Sequence, residues 1–305
     1  MTPIAKARIL SEALPFIRAY HGKTLVIRFG GRAMIDPELK AGFARDVALL
    51  RLVGMQPIVV HGGGWHIDRL MQQMGMTPRR SGGVRITDES TLNVVEMVLE
   101  ELNQELTGLI NRHGSRAVGL DGQDGRFIHA RKLTLAEGDA AVDPGFVGEV
   151  ESIDLSLVRL LLSRQFVPVI MPIGVDVDGT AYHINSDVLA GRIARELEAE
   201  KLILMTNVAG IPGADGRLAY ILTASEAQAL LAGNRLGDDL APRLRAALDA
   251  VREGVRSVHI IDGGVASALL LEVLTTEGVG TAVRSDAGPH FFEDTRAYLN
   301  ISPAA

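Results

Sequence analysis

"LVIRFGGRAM", residues 25–34, decides how the chain is read. With Thr24 in front, "TLVIRF" is apolar and β-rich enough to form a buried strand, and the run stops at Gly30 and Gly31. A strand that ends in glycines is a place where main chain can approach an anion closely. The one charge in the run, Arg28, lies between Ile27 and Phe29. On a buried strand such a charge is expected to point at a site rather than at solvent.

Working outward, "PIVVHGGGWHIDRLM" (57–71) repeats the pattern: a strand, three glycines, and a helix from about Trp65. Gly62, Gly63 and Gly64 free the main-chain N–H groups, and the helix N-terminus adds partial positive charge. This is not a dinucleotide fingerprint, because Ile67 stands where the last glycine of G-x-G-x-x-G belongs, nor a Walker loop, because no Gly-Lys-Ser/Thr follows. If both strands share a parallel sheet, the two glycine loops lie at one carboxyl edge, where α/β folds bind ligands. Further strands are expected at 116–120, 166–171, 201–206 and 257–261, with long helical patterns between them. Asp36-Pro37-Glu38 is a cap, a first-turn proline and a first-turn acid. The alternation predicts an α/β protein: a three-layer α/β/α sandwich with a central, mainly parallel sheet. "GVDVDGTAYHI" (174–184) reads as a hairpin turning at Asp178-Gly179 and as the waist between two lobes.

Composition excludes other classes. The 305 residues carry a net charge of −6, no cysteine and no low-complexity stretch. No basic field invites nucleic acid, and disulfide or thiolate chemistry is absent. The N-terminal 20 residues have neither an unbroken apolar core nor a small-residue cleavage site, so neither a membrane span nor a signal peptide is expected and the cytoplasm is the expected location. The eight histidines are scattered without metal-ligand spacing, and "GVDVDG" is too short for a calcium loop.

Several other residues stand at chemically useful places. Arg85, just before a helix start, can grip a carboxylate bidentately. Asn185 and Asp187 stand where another helix begins, where either could equally be a simple cap. Thr206 and Asn207 end a strand and suit a base, a ribose or a turn.

In order, "LVIRFGGRAM", "AGFARDVALLRLVGMQPIVVHGGG", "GGVRITDESTLNVVEMVL", "LINRHG", "VGEV", "FVPVIMPIGVDVDG", "INSD", "EAEKLILMTNVAGI" and "GVRSVHIIDG" resemble the N-acetylglutamate kinases of the amino-acid-kinase superfamily. The resemblance spans about residues 9–283 and implies the amino-acid-kinase fold, with MgATP-dependent phosphorylation of the γ-carboxylate of N-acetyl-L-glutamate in arginine biosynthesis. It implies an interlinking N-terminal helix (1–22), an amino-acid-binding and dimerising N-lobe (23–180), a nucleotide and effector C-lobe (181–284) and a tail (285–305). By position, Gly30, Gly31 and Gly62 to Gly64 would hold the γ-phosphate and the attacking carboxylate. Arg85 would hold the α-carboxylate, with Asn185 and His183 on the rest of the substrate. Thr206, Asn207 and Asp239 fall on the nucleotide side, and Asp187 would orient the catalytic cations. Residues 9–20 resemble the helix that links dimers into a hexameric ring in the arginine-inhibited branch. Lys201, Glu272 and Gly280 are then candidate arginine contacts.

The departures cluster on the chemistry. Arg28 and Arg243 replace the family's two lysines, and Asp238 and Asp239 replace glycines. His183 replaces an asparagine, and "EMVLEELNQEL" (96–106) reads as unbroken helix where the family carries Gly-Gly. Arginine keeps the charge but is longer, planar and forked. Two functions follow as expectations: an acetylglutamate-kinase-type phosphotransferase, or a catalytically impaired homologue that binds arginine or regulates, with a kinase for a different acyl acid as a variant of the first.

Overall fold

The structure, a computed structural model, describes residues 2–137, 140–213, 215–233, 236–237, 240–276 and 278–286. Asp238, Asp239 and nearly all of the expected tail lie outside the described residues. The central sheet uses β1 (Thr24–Phe29), β2 (Gln56–His61), β5 (Arg116–Leu120), β10 (Phe166–Ile170), β13 (Lys201–Thr206), β14 (Ile221–Thr223), β15 (Ser257–Asp262) and β16 (Gly280–Arg284). Their order is β14-β16-β15-β13-β1-β2-β10-β5, parallel throughout except for the β15–β16 pair. β6 (Ile128–Lys132), β9 (Val147–Ile153), β11 (Ile173–Val175) and β12 (Ala181–Ile184) close a small barrel beside it. β3 (Arg80–Ser81) with β4 (Val84–Arg85), and β7 (Leu135–Glu137) with β8 (Ala140–Val142), form two short ribbons.

The helices are α1 (Pro3–Tyr20), α2 (Pro37–Leu52), α3 (Gly64–Gln73), α4 (Glu89–Arg112), α5 (Ser156–Ser163), α6 (Ser186–Glu196), α7 (Ala224–Ala232), α8 (Leu240–Arg252) and α9 (Ala268–Leu274). Their starts follow from local chemistry. Asp36 caps α2 by accepting from Glu38 N (2.9 Å) and Leu39 N (3.2 Å), and Pro37 fills the first position, where no donor is needed. Thr223 and Glu226 cap α7 reciprocally. α4 runs unbroken through 96–106, as the sequence predicts. No described helix is long and apolar enough to cross a membrane.

Strand alternation sorts side chains into two cores. Leu25, Ile27, Phe29 and Val59 pack with α2, α3, α4 and α9, while Val26, Ile58 and Val60 pack with α5, α6 and α8. Period two therefore sends Arg28 to the α6 side and His61 to the α4 side. The 173–184 hairpin is present, with Gly179 at φ +88° in its turn and Asp176 accepting from Asp178 N and Thr180 N.

One core position works against stability. Asp46 of α2 is 1% exposed, its Oδ1 has no hydrogen-bond partner, and burial raises its pKa to about 6 despite Arg45 and a hydrogen bond from Ser267. Between about pH 4 and 6 the folded chain holds a proton that the unfolded chain has lost, so stability at this site falls as pH rises through that window. Asp46→Asn is expected to stabilise the protein by about 1–3 kcal/mol at pH 8. The gain should shrink as pH is lowered through 6 to 5. Thermal midpoints of both proteins across that range check it, and a pH-independent difference would contradict it.

Candidate active site

β1 and β2 are parallel neighbours in a register that sets Phe29 beside His61, so the two glycine loops leave the sheet side by side. Gly62 N–H donates to Phe29 O at 3.0 Å and ties one loop to the other. β13 flanks β1 on the other side, and Asn207, just after it, accepts the Arg32 N–H. Gly31 needs to be glycine: its φ is +74°, and a Cβ there would meet Asn207 Oδ1 at 2.5 Å. Gly263, after β15, donates to Thr206 O (2.9 Å). The ends of β1, β2, β13 and β15 therefore converge where the strand order turns about β1, the usual place for a ligand in an open α/β sheet.

Arg28 lies across this junction. Nε donates to Ser186 Oγ (3.2 Å) and Nη1 to Met205 O (3.3 Å). Nη2 would be 3.3 Å from a Cβ on Gly62, and Nη1 only 2.0 Å from one on Gly30, so the guanidinium reaches both loops. Asp187 Oδ1 approaches Nε to 2.7 Å. Because the single Nε–H is aimed at Ser186, this contact is an ion pair without hydrogen-bond direction, and Oδ1 otherwise lacks a partner. Asp187 Oδ2 lies 3.8 Å from Arg243 Nη1 at the start of α8. The three side chains are 13%, 16% and 21% exposed, so solvent screens them little. Arg28, Asp187 and Arg243, named from positions far apart in sequence, are thus one cluster.

Asn185 is the α6 N-cap and accepts from Asp187 N (2.8 Å) and Val188 N (3.3 Å), which leaves its amide N–H groups for other partners. Asn185 and Asp187 line a cavity of about 670 Å³, with the β3–β4 tip at Gly82 and Gly83 on one wall and Pro242 and Arg245 on another. Arg85 is buried; it donates to Asp68 Oδ1 (2.5 Å) and to Gly64 O (3.3 Å), while Arg80 holds Asp68 Oδ2 (2.7 Å). These two arginines hold the Asp68 carboxyl below its ordinary range against the effect of burial. His183 on β12 is half-buried; burial, then Arg85 and Arg80, lower its pKa to about 4, so it is neutral at physiological pH. Thr206 is fully buried and its hydroxyl is used within the strand end, on Val208 O (3.2 Å) and Ile261 O (3.3 Å). Asn207 is exposed beside the first loop, and Asp239 lies outside the described residues.

Lys201, Glu272 and Gly280 gather elsewhere. Lys201 begins β13, at the opposite edge of the sheet from the glycine loops, is 3% exposed, and has Nζ 3.0 Å from His259 Nε2. His259 Nδ1 is 2.5 Å from Glu272 Oε1, and Glu272 Oε2 accepts Val279 N–H (2.8 Å), next to Gly280. Burial lowers the Lys201 pKa to about 8 although Glu272 and Glu200 oppose it. The α1 residue Tyr20 places its ring 5.2 Å from Lys201 Nζ.

Ser186, Met205 O and Asp68 were not among the residues read from sequence. Asp68 carried a signal, an acid one turn into a helix that opens on glycines; the others depend on strand order. Among the described residues no group of three or more His, Asp or Glu could hold a metal ion.

An open, mainly parallel sheet with paired glycine loops and clustered arginines at its carboxyl edge is the arrangement of an anion-binding α/β site. Residues 23–262 match the Amino acid kinase family, to which the chain belongs. It is 55% identical over 282 residues to the acetylglutamate kinase of Chromobacterium violaceum, covering 92% of this chain and 98% of that one. To the acetylglutamate kinase of Nitrosomonas eutropha it is 50% identical over 285 residues, covering 92% and 97%. Among solved structures it resembles the N-acetylglutamate synthase of Neisseria gonorrhoeae complexed with coenzyme A and N-acetyl-glutamate. There the TM-score is 0.84 at 28% identity, and the match covers 94% of this chain but 64% of that one. The carbamate kinase of Giardia, at 15% identity and TM-score 0.63, shares the fold.

Proposed function

We infer that the protein transfers the γ-phosphoryl group of ATP to the γ-carboxylate of N-acetyl-L-glutamate. The observation that carries this reading is the pair of glycine loops side by side with Arg28 bridging them. Identity of 50–55% to acetylglutamate kinases over 92% of the chain favours it over the impaired, purely regulatory homologue. The nucleophile is a carboxylate, already ionised at neutral pH, so no general base is required. That suits a site whose histidine near Arg85, His183, is neutral. Catalysis rests on alignment and on positive charge over the moving oxygens. Arg28 and Arg243 supply that charge, Asp187 spaces them, and the glycine loops give main-chain donors. Arg85 receives the α-carboxylate, with Asn185 and His183 on the acyl end. The donor set suits a polyphosphate. Mg²⁺ would be held chiefly by phosphate oxygens and water, with Asp187 a carboxylate that could assist; the ion would neutralise charge on the transferring phosphate. ADP release and hydroxamate trapping of the acyl phosphate, with MgATP and N-acetyl-L-glutamate, test the reading; neither product would defeat it.

Arginine is the proposed effector, with Lys201, Glu272 and Gly280 as contacts. A ring of dimers linked through α1 is the proposed assembly, and the contact of Tyr20 with Lys201 supports a link between the two. Arginine titrated calorimetrically is expected to bind at least about tenfold more weakly to Glu272→Gln, which removes a buried charge partner for a guanidinium. Equal binding would remove Glu272 from the site.

A further inference from the structure

His61 ends β2 immediately before the second glycine loop and is fully buried. Its Nδ1 lies 3.0 Å from Gly62 O. A carbonyl only accepts, so Nδ1 carries the proton. Nε2 lies 3.2 Å from Asn103 Nδ2, which also donates to Val169 O at 2.8 Å. That second bond fixes which end of the Asn103 amide is nitrogen. The two amide protons then go to Val169 O and to an unprotonated Nε2. The ring is held in one neutral tautomer by a residue 42 positions away. Burial also keeps it neutral, with its pKa lowered to about 4.

The consequence falls on the next peptide. The described chain has no cis peptide bond, so the carbonyl of Gly62 and the N–H of Gly63 point in opposite directions across one plane. Pinning Gly62 O toward His61 turns Gly63 N–H the other way. Gly63 is buried, and its N–H has no acceptor among the described residues, whereas Gly62 N–H is already used on Phe29 O. A buried N–H without a partner is costly unless a ligand completes it. We propose that His61, oriented by Asn103, is a positioning residue that aims the Gly63 N–H at the anionic oxygen in transfer. The proposal rests on the phosphotransfer reading for what that oxygen belongs to.

Two amide substitutions separate positioning from packing. In His61→Asn the amide nitrogen sits on Cγ, where Nδ1 was, and can still donate to Gly62 O. In His61→Gln it sits one atom further out, near Nε2, and keeps only the Asn103 side of the network. The expected result is kcat within about fivefold of the parent for Asn and about 10–10² lower for Gln, with substrate KM values little changed. A packing role would favour Gln. In ¹⁵N-glycine-labelled protein, MgAMP-PNP should shift the Gly63 amide resonance in the parent and in His61→Asn but not in His61→Gln. Equal kcat for the two variants, or no Gly63 shift in the parent, overturns the proposal. A parent that shows the shift but forms no acyl phosphate leaves the donor in place and removes the kinase reading instead. If His61→Gln does not fold, the imidazole ¹⁵N spectrum of the parent decides: an Nδ1–H tautomer supports the proposal and an Nε2–H tautomer ends it.

Discussion

Asp187→Ala is expected to lower kcat by about 10²–10³ while leaving the KM for ATP unchanged or lower. Asp187 holds the two arginines by opposite oxygens, 2.7 Å from Arg28 Nε and 3.8 Å from Arg243 Nη1. Without it, two poorly screened cations face one another. Arg28 keeps its bonds to Ser186 and Met205, while the carboxylate that spaces Arg243 from Arg28 is gone. The excess positive charge still attracts a polyphosphate, which is why ground-state binding does not weaken. What is lost is preorganisation, the alignment of both cations on the transferring group. The fold should survive, because Asn185 rather than Asp187 caps α6. The first-turn acid contributes only about 0.3–1 kcal/mol to the helix. Steady-state kinetics with a parallel thermal melt check this. A kcat within threefold of the parent would show that Asp187 does not space the cations.

This cluster bears on the replacement of lysine by arginine at 28. A lysine has a point charge on a flexible stem, whereas the guanidinium at 28 has three separate holds, on Ser186, on Met205 O and on Asp187. Its fork is anchored at Nε and Nη1, and Nη2 is the part nearest the second loop. An anchored cation requires little reorganisation at the moment of transfer, which is the condition for strong electrostatic catalysis. In the proposed phosphotransfer, these holds would give the arginine a preorganised place.

Legibility in the sequence followed the range of the interactions. "TLVIRF" and "KLILMT" are buried on both faces, so their apolar runs gave the strands without register, and both match to the residue. The barrel strands "IHARK" and "VGEVESI" were missed because half their side chains face water and little apolar signal remains. β16 was missed as well: "GTAVR" is short and begins with a glycine, and the antiparallel β15 beside it supplies its stability. In the site, the glycine loops were readable because main-chain chemistry is local. The holds on Arg28 were not, since Met205 is 177 residues away and becomes a neighbour only once β13 pairs with β1. Asn103 had a faint mark, a polar residue among Leu99, Leu102 and Leu106 on the apolar face of α4. Its partner across the core was invisible.

Arg85→Leu is expected to raise the KM for N-acetyl-L-glutamate by about 10²-fold with kcat changed little, the size of losing one charge-assisted, bidentate contact of about 2–3 kcal/mol. The split follows from place. Arg85 sits on β4, held by Asp68 and Gly64 O, so it shares the second glycine loop's helix but not the Arg28–Asp187–Arg243 cluster. In the proposed reading Arg85 takes the end of the substrate that does not react, so ground state and transition state would lose the same contact. Asp68 keeps Arg80 at 2.7 Å, which prevents an unpaired carboxylate from confusing the result. Arg85→Lys keeps the charge without the fork and should fall between the two proteins. A second signature separates electrostatics from lost packing. Arg85 is one of the groups that depress His183, after burial itself, so its removal moves the His183 pKa up from about 4 toward the ordinary range. Any pH dependence of KM that His183 imposes should then lie at higher pH in Arg85→Leu than in the parent, with burial and Arg80 still holding that residue below the ordinary histidine range. A variant that lowers kcat and leaves KM alone would instead place Arg85 on the reacting end of the substrate.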